Sequence, residues 1–133
     1  MKITLESTFG ELSFKGTNER NQSLQLSGNK ESVSPMEAVL MSVAGCSAID
    51  VEVILKKMHQ KIHKIEVKVE GQRANATPSV FTEIHLHYII TGDVKKEKAQ
   101  KAVEMSMNEY CSVSKMLSNS VIITHSFEVH ILD

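Results

Sequence analysis

Three short segments near the N-terminus alternate apolar and polar residues. Their apolar side chains fall in pairs two positions apart: Ile3 and Leu5, Leu12 and Phe14, Leu24 and Leu26. A period of two is typical of strands with one face toward the protein interior, and Gly10 and the segments 16–21 and 28–30 supply turns. The opening of the chain therefore predicts a three-stranded antiparallel meander.

A long helix is predicted to begin after Ser34. Pro35 follows Ser34 and Glu37 stands three residues after it, which is the pattern of a capping box with proline at the first helical position. The helix can run to about Met58, and its segment 38–49 is apolar or small on all sides. Such a composition is typical of a helix surrounded by protein, so we expect it at the centre of the fold.

The rest of the chain predicts two long strands, two helical segments and a last strand. The strands are expected over 62–70 and 80–90 with a turn over 71–79, and the last strand over 121–132. In the second of these strands the apolar positions alternate at Ile84, Leu86, Tyr88 and Ile90. Asp93 is expected to cap a helix over 94–110, and a helical turn covers 112–117. The helix is expected to pack through a core stripe of Ala99, Ala102, Val103, Ser106 and Tyr110. The order βββαββααβ with local antiparallel pairing predicts an α+β fold, an antiparallel sheet around a central buried helix, in a single domain over residues 1–133.

Charge and composition restrict the partners and the compartment. Fifteen basic and sixteen acidic residues give a formal net charge of -1, so no broad positive field predicts nucleic acid or anionic lipid as a partner. The N-terminal segment lacks the apolar stretch of a secretory signal, and the run 38–49 is shorter than the ~20 residues that cross a bilayer. We expect a cytoplasmic protein, and in that reducing compartment paired cysteines are more often catalytic or free than structural.

The two cysteines are the main candidates for chemistry. Cys46 lies within SVAGCSAID, where Ala44 and Gly45 allow close approach of another backbone, and Cys111 lies 65 positions later within NEYCSVSKML. Taken alone, a cysteine in a cytosolic core is more often a small buried hydrophobe than a reactive residue. Their spacing does not decide between these interpretations.

The segments SPMEAVLMSVAGCSAIDVEVILKK and YCSVSKML resemble the two cysteine regions of the OsmC/Ohr family. The order of strands and helices is similar to that family's fold over the whole chain. The resemblance implies an intertwined homodimer with active sites at its interface, in which Cys46 is the peroxidatic thiolate and Cys111 the resolving thiol. It further implies a thiol-dependent peroxidase of the oxidative stress response that reduces organic hydroperoxides and is regenerated by an external thiol reductant.

Two alternatives to peroxidase activity stay open. The same cysteine pair would serve an OsmC-like protein that senses redox state or binds a small ligand with little turnover. The cysteines would also suit a structural dimer in which both are core residues.

Arg20 and Glu37 complete the site that the resemblance implies. The family places an arginine from the N-terminal strand region beside the reactive sulfur, which indicates Arg20, although a solvated turn residue is an equal interpretation. Glu37 resembles the helix-start glutamate that orients this arginine, whereas the hydroperoxide-resistance branch commonly carries glutamate at the position of Met36. A straight helix separates Glu37 from Cys46 by about 13 Å and about 180°. Glu37 would therefore act from the partner subunit or through the long arginine side chain, and the capping box alone also accounts for it.

Local physical chemistry and the resemblance disagree about which sulfur attacks. Cys46 lies about three turns into its helix, beyond the reach of the N-terminal dipole, and an ionised Asp50 one turn later would oppose a thiolate there. Cys111 precedes a helical turn whose N–H groups favour a thiolate. The local sequence therefore favours Cys111, and the resemblance favours Cys46, which we adopt.

No metal or cofactor site is predicted. His85 and His87 alternate on one strand and are expected to form a solvent-facing pair. The chain contains no HExxH or paired CxxC motif and no glycine-rich phosphate loop. We therefore expect no cofactor.

Overall fold

The computed structural model of the chain describes residues 1–7 and 10–132. These residues form two compact units, Met1–Val39 and the segment from Leu40 onward, and the boundary between them lies within the first helix. Each unit contains a three-stranded sheet. The interpretation of residues 1–133 as a single domain stays a prediction.

The first unit contains the predicted meander. Its strands are β1 (Ile3–Ser7), β2 (Ser13–Asn18) and β3 (Ser23–Ser27), paired antiparallel in the order β1-β2-β3. The turn between β2 and β3 is closed by the Asn18 side chain, whose Oδ1 accepts hydrogen bonds from the backbone N–H groups of Arg20 and Gln22. An Asx-type bond of this kind stabilises a tight turn and explains why the period-two pattern stops here.

One face of the meander is apolar and open in the chain. Leu5 and Leu24 both lie opposite Gly16, so their side chains share a face. The apolar residues with large exposed fractions in this sheet are Ile3 at 59%, Leu5 at 55%, Leu24 at 53% and Phe14 at 42%. A contiguous apolar surface of this kind is typical of an interaction surface.

Helix α1 (Pro35–Lys57) begins as predicted and ends one residue before the expected Met58. The capping box is formed, because Glu37 N–H donates to Ser34 Oγ over 3.1 Å and Ser34 N–H donates to Glu37 Oε1 over 2.9 Å. Two lysines in the last turn suit the negative end of the helix dipole.

The expectation that protein surrounds α1 is wrong for the single chain. Its buried residues form one stripe, whereas the opposite face exposes Met41 by 56%, Ile49 by 66% and Val53 by 44%. By length and composition alone, the full 23 residues of α1 are long and apolar enough to cross a bilayer. The expectation from the shorter run 38–49 that no segment is long enough is therefore wrong. A stripe of buried residues is nevertheless typical of a core helix. In α1 this stripe consists of Val43, Ser47, Val51 and Leu55.

The second unit confirms the α+β class and the element order, with one difference in pairing. Strands β4 (Lys61–Arg73) and β5 (Phe81–Asp93) are antiparallel, but β6 (Ile122–His130) runs parallel to β5. The sequence predicted antiparallel pairing throughout. A parallel pair requires a long crossover, which here contains α2 (Lys96–Met105), a π-helical turn (Ser106–Tyr110) and α3 (Ser112–Leu117).

The predicted cap at Asp93 and the predicted turn from Gly71 are wrong. Asp93 is the last residue of β5, and the residue before α2 is Lys95, whose side chain makes no capping bond in the described chain. Strand β4 continues through Gly71 to Arg73. A Cβ at Gly71 would lie only 2.6 Å from the Phe81 ring and 3.2 Å from Leu40, so glycine serves close packing rather than a turn.

The core of the second unit lies on one face of β5. Ile84, Leu86, Tyr88 and Ile90 alternate as predicted and each exposes 1% or less of its surface. Buried residues of α2 add to this core, although Tyr110 of the predicted stripe is 53% exposed. His85 and His87 lie on the opposite face and bond to hydroxyls of β6, in agreement with the expected outward pair.

Candidate active site

Both cysteines lie at one point of the second unit. The Cys46 Sγ, the Cys111 Sγ and a carboxylate oxygen of Asp50 all lie within 4.8 Å of one another. Cys46 and Asp50 are half-buried, whereas Cys111 exposes only 2% of its surface. Neither cysteine forms a disulfide in the described chain, so both thiols are available for chemistry.

The two sulfurs are positioned by different elements. Cys46 and Asp50 lie one turn apart on α1, next to the stripe that faces the core. Cys111 ends the π-helical turn, where its N–H donates to Ser106 O over 2.7 Å, and its extended backbone then starts α3. The π turn therefore places Cys111 on the same side of the crossover as Ser106, the side that meets α1.

The Cys111 thiol lies in a mostly apolar setting. Its Sγ lies 3.9 Å from the carbonyl oxygen of Val43. Burial raises the pKa of the Cys111 thiol, hydrogen bonds from the Ser114 side chain and backbone act in the opposite direction, and the neighbouring Cys46 raises the pKa further. Cys111 thus precedes a helix as predicted. The loss of water around its thiol nevertheless raises the pKa by more than the hydrogen bonds from Ser114 lower it.

A chain of buried hydroxyl groups ends at the Asp50 carboxylate. Tyr88 Oη lies 2.5 Å from Ser47 Oγ, Ser47 Oγ lies 2.8 Å from Ser106 Oγ, and Ser106 Oγ donates to Asp50 Oδ2 over 3.1 Å. In the Tyr88–Ser47 and Ser47–Ser106 pairs either oxygen can be the donor. When Ser106 gives its one hydroxyl hydrogen to Asp50, it can accept from Ser47, and Ser47 can accept from Tyr88. In that arrangement every bond of this hydroxyl chain points toward the carboxylate.

The Tyr88 hydroxyl is deeply buried and protonated. Desolvation raises the pKa of Tyr88 to about 12, and the bond to Ser47 opposes part of that shift. Met107 Sδ also lies 3.2 Å from Tyr88 Oη. Tyr88 therefore starts the hydroxyl chain as a donor at all ordinary pH values.

The comparisons with known proteins agree with this architecture. The family model described as "OsmC-like protein" matches residues 28–126. The chain belongs to the OsmC-like family. Protein YhfA of Escherichia coli K12 is 45% identical over 121 residues, which cover 89% of this chain and 90% of that protein. The family resemblance of the two cysteine segments is thereby confirmed.

Solved structures extend the OsmC-like assignment to the whole fold. A hypothetical protein from Aquifex aeolicus VF5 is 29% identical with a TM-score of 0.91, covering 99% of this chain and 97% of that one. An organic hydroperoxide resistance protein OsmC from Legionella pneumophila is 14% identical with a TM-score of 0.72, covering 96% and 97%. The Legionella likeness concerns the fold alone.

Two residues predicted for the OsmC-like site, Arg20 and Glu37, make local interactions within the first unit. Arg20 lies in the exposed turn between β2 and β3, where its Nε donates to Gln22 Oε1 over 3.2 Å. Glu37 acts in the capping box, and the Ser34 backbone N–H, followed by the Ser34 side chain, lowers the pKa of its carboxyl. Both residues belong to the first unit, and their action on Cys46 stays a prediction.

Sequence reasoning missed the hydroxyl chain. Ser106 was expected within the core stripe of the second helix and Tyr88 on the inner face of a strand, and each is a polar group at an apolar position. A buried hydroxyl requires a partner, so these two positions were a usable signal for a polar network. Nothing local indicated that the network ends at Asp50.

An open cavity of about 500 Å³ lies beside Asp50. Its walls are mostly apolar, and Lys57 adds a cation. The lining residues are Asp50, Val53, Ile54, Lys57, Met58, Met105 and Tyr110. Asp50 is the residue that this cavity shares with the cysteine site, and neither cysteine is among its lining residues.

Proposed function

We propose that this OsmC-like protein is a thiol-dependent peroxidase that reduces organic hydroperoxides through Cys46 and Cys111. The observation that carries the proposal is the approach of the two sulfurs to within 4.8 Å, although 65 positions separate them in the sequence. A disulfide needs an S–S distance of about 2.05 Å and a Cα separation of about 4.4 to 6.8 Å, so bond formation would bring the two sulfurs closer together than they lie in the reduced chain.

The proposed cycle has three balanced steps. The Cys46 thiolate attacks the peroxide O–O bond, which breaks to give a sulfenic acid on Cys46 and, after uptake of one proton, an alcohol. The Cys111 thiol then attacks the sulfenic sulfur, forming the disulfide and releasing water. An external thiol reductant opens the disulfide by two exchange steps and leaves as its own disulfide.

Cys46 is the better candidate for the attacking sulfur. Its side chain is half-buried, whereas Cys111 exposes only 2% of its surface. A peroxide reaches an exposed sulfur first, and the second thiol needs to meet only the sulfenic acid. Accessibility therefore supports the same assignment as the family resemblance.

The cavity beside Asp50 supports organic peroxides as the substrates. Its methionine, valine and isoleucine walls favour an apolar substituent over the small polar hydrogen peroxide. We propose that the alkyl part of the hydroperoxide lies in this cavity while the O–O bond is presented to Cys46.

We further propose that Arg20 stabilises the Cys46 thiolate and that Glu37 orients Arg20. A guanidinium is the side chain best suited to hold a permanent positive charge beside a thiolate. The need for a cation is supported by Asp50, because an ionised carboxylate within 4.8 Å of the sulfur opposes the second negative charge.

We propose that the protein acts as a homodimer in the cytoplasm. The exposed face of α1 carries Met41, Gly45, Ile49 and Val53 at four-residue intervals, and no described atom lies within 4 Å of a Cβ built on Gly45. The apolar face of the meander is exposed as well. A second copy of the chain would cover both surfaces, which is how obligate homodimers bury their apolar area.

Asp50 also favours a second candidate function, a redox sensor with little turnover. A carboxylate within 4.8 Å of the Cys46 sulfur would repel the negative charge of an attacking thiolate, which slows attack but does not prevent slow disulfide formation. The sensor and the peroxidase therefore differ in rate rather than in chemistry.

A stopped-flow experiment with cumene hydroperoxide tests the proposal. We expect rapid consumption of one equivalent of peroxide by the reduced protein and repeated turnover with a dithiol reductant. Cys46→Ser should abolish consumption, and Cys111→Ser should keep the first equivalent but stop turnover. The matched control Glu52→Gln, an exposed acid on the same helix, should behave as wild type. Slow oxidation without turnover would favour the sensor, and consumption that survives Cys46→Ser would contradict both assignments.

A further inference from the structure

We propose that the reduced protein binds zinc through Cys46, Asp50 and Cys111, with the fourth coordination position left to water. This proposal does not depend on peroxidase activity, because it concerns the two thiols and the carboxylate before any oxidation. It was not expected from the sequence, in which no zinc motif places these three residues together.

The three groups have the chemistry and the spacing of a zinc site. Zinc takes cysteine sulfur and aspartate oxygen in a tetrahedral arrangement, and Zn–S bonds of about 2.3 Å put two ligating sulfurs about 3.8 Å apart. In the structure all three ligand atoms lie within 4.8 Å of one another. Shifts of about 1 Å or less would therefore bring them to coordination distance around one ion.

Electrostatics favours a cation at this position. Two thiols and a carboxylate that can each become anionic meet in a partly buried place, where like charges repel more strongly than in water. Among residues 1–7 and 10–132, Asp50 forms no ion pair. A divalent ion would neutralise the carboxylate and both thiolates together.

The hydroxyl chain supplies the outer support that a metal ligand needs. Ser106 Oγ donates to Asp50 Oδ2, which leaves Oδ1 for coordination. Ser106 Oγ lies within hydrogen-bond distance of Ser47 Oγ, which in turn bonds to the Tyr88 hydroxyl, so the position of Ser106 is fixed by buried partners. Ligating carboxylates in metal sites are fixed by hydrogen bonds of this kind.

The site also has an entrance. Asp50 lines the open cavity of about 500 Å³, and the Cys46 side chain is half-buried. An ion can therefore enter from the cavity and keep a water molecule as its fourth ligand, whereas Cys111 closes the inner side. We expect an exchangeable site, unlike the closed four-ligand sites of structural zinc.

Zinc and the disulfide exclude each other. Both sulfurs must be thiolates to bind the ion, and on oxidation the two thiolates give two electrons to the oxidant and form a neutral disulfide, whose sulfurs are poor ligands for zinc. Oxidation by two electrons should therefore release the metal, so that zinc occupancy reports the redox state of the cysteine pair.

Metal titration of the reduced full-length protein tests the proposal directly. Cobalt(II), a spectroscopic substitute for zinc, should produce thiolate-to-cobalt charge-transfer absorption that saturates at one equivalent per chain and disappears when zinc is added. The preformed disulfide form should give no such absorption. Absence of the absorption in the reduced protein, or equal absorption in the disulfide form, would overturn the proposal.

Substitutions then assign the ligands, with far-ultraviolet circular dichroism as a check on folding. Cys46→Ser, Cys111→Ser and Asp50→Asn should each weaken zinc binding at least ten-fold, measured by competition with a chromophoric chelator. Ser106→Ala should weaken it by about 10- to 100-fold through loss of the outer support. Glu52→Gln, the exposed acid two residues from Asp50, is the matched control and should bind zinc as wild type does.

X-ray absorption of the zinc-loaded wild type keeps the test independent of any variant that fails to fold. The expected first shell holds two sulfur and two oxygen atoms. A shell without sulfur, or Asp50→Asn binding zinc with unchanged affinity, would overturn the three-ligand site.

Discussion

Tyr88 Oη and Ser47 Oγ lie 2.5 Å apart, immediately behind the helix position that carries Cys46. Ser47 is the residue after Cys46, so the hydroxyl chain and the sulfur are fixed by the same turn of α1. Tyr88 exposes none of its surface, and its bond to Ser47 replaces the water that the hydroxyl loses on folding. The buried residues that form the core of the second unit therefore also fix the position of the cysteine site.

The buried Tyr88 makes stability fall at alkaline pH. Its folded pKa of about 12 lies above the ordinary value of 10.0, so the unfolded chain releases this proton first. The stabilisation is complete below pH 10 and is lost as the pH rises toward 12, by about 3 kcal/mol at most. Urea unfolding across this range should show a steeper decline for wild type than for Tyr88→Phe, in which only other groups such as the buried Cys111 thiol contribute, and parallel curves would contradict the assignment.

Oxidation should link the two cysteines within one chain. One equivalent of an alkyl hydroperoxide should lower the mass of the reduced protein by two hydrogen atoms, and digestion should yield one peptide pair joined at Cys46 and Cys111. In Cys111→Ser, the sulfenic acid should accumulate on Cys46 and react with a cyclic dione reagent. A disulfide between two chains as the main product would argue against Cys111 as the resolving thiol of its own subunit.

The two arginines of the chain offer a matched comparison. Arg20→Ala should slow the reaction of Cys46 with hydroperoxide at least ten-fold, about 1.4 kcal/mol of barrier, because the proposed counter-charge of the thiolate is lost. Arg73→Ala is the control, since Arg73 Nε donates to the Ser79 carbonyl in the loop after β4. Equal rates in both variants would leave Arg20 as a turn residue. The measurement is the second-order rate constant of the first oxidation.

Glu37→Gln separates the capping role of Glu37 from the orienting role. Glutamine still accepts the Ser34 N–H, so unfolding free energy should change little, whereas Ser34→Ala should cost about 1 kcal/mol. The lowered pKa of Glu37 means that its charged form stabilises the fold fully above pH 4.5, and this contribution is lost as the pH falls through the lowered value. If Glu37 orients Arg20, the oxidation rate falls in Glu37→Gln at unchanged stability, and an unchanged rate would leave capping as its function.

The exposed apolar face of α1 predicts a homodimer that one charged side chain introduced on this face would disrupt. Ile49 is 66% exposed in the chain, and burying a lysine there without a partner would be costly in a dimer but not in a monomer. Ile49→Lys should therefore halve the mass measured by sedimentation equilibrium, whereas Glu52→Gln on the neighbouring charged position should not. A wild-type protein that is already monomeric would contradict the homodimer.

The elements with a strong local pattern were predictable, and their long-range arrangement was not. The capping box at Ser34 and the alternation of β5 are determined by neighbouring residues, so sequence alone located both. The parallel pairing of β6 with β5 depends on where the crossover returns the chain, and no residue of β6 encodes that direction locally. Apolar or small residues on all sides of α1 predicted a buried helix, but a single chain buries only one stripe of the helix surface.

The candidate site was predictable in its cysteines and not in its polar groups. The segments around Cys46 and Cys111 carry the family resemblance, and the fold brings both sulfurs together. Cys111 follows a π-helical turn that replaces ordinary helix after α2, a change of backbone register that side-chain pattern does not reveal, whereas the bond from Ser106 to Asp50 depends on how the crossover packs against α1. Asp50 was identified as a neighbour of Cys46, but its place at the end of a donor chain came from the structure.

The π-helical turn makes the proximity of the two sulfurs depend on one inserted position. Without the wider loop closed by Cys111 N–H and Ser106 O, every later side chain would rotate by about 100° around the helix axis, and Cys111 would turn away from α1. A one-residue deletion between 106 and 110 would thus uncouple the thiols while both cysteines remained in the gene. In this chain, a change in the length of this turn would accordingly remove the paired-thiol chemistry without replacement of either cysteine.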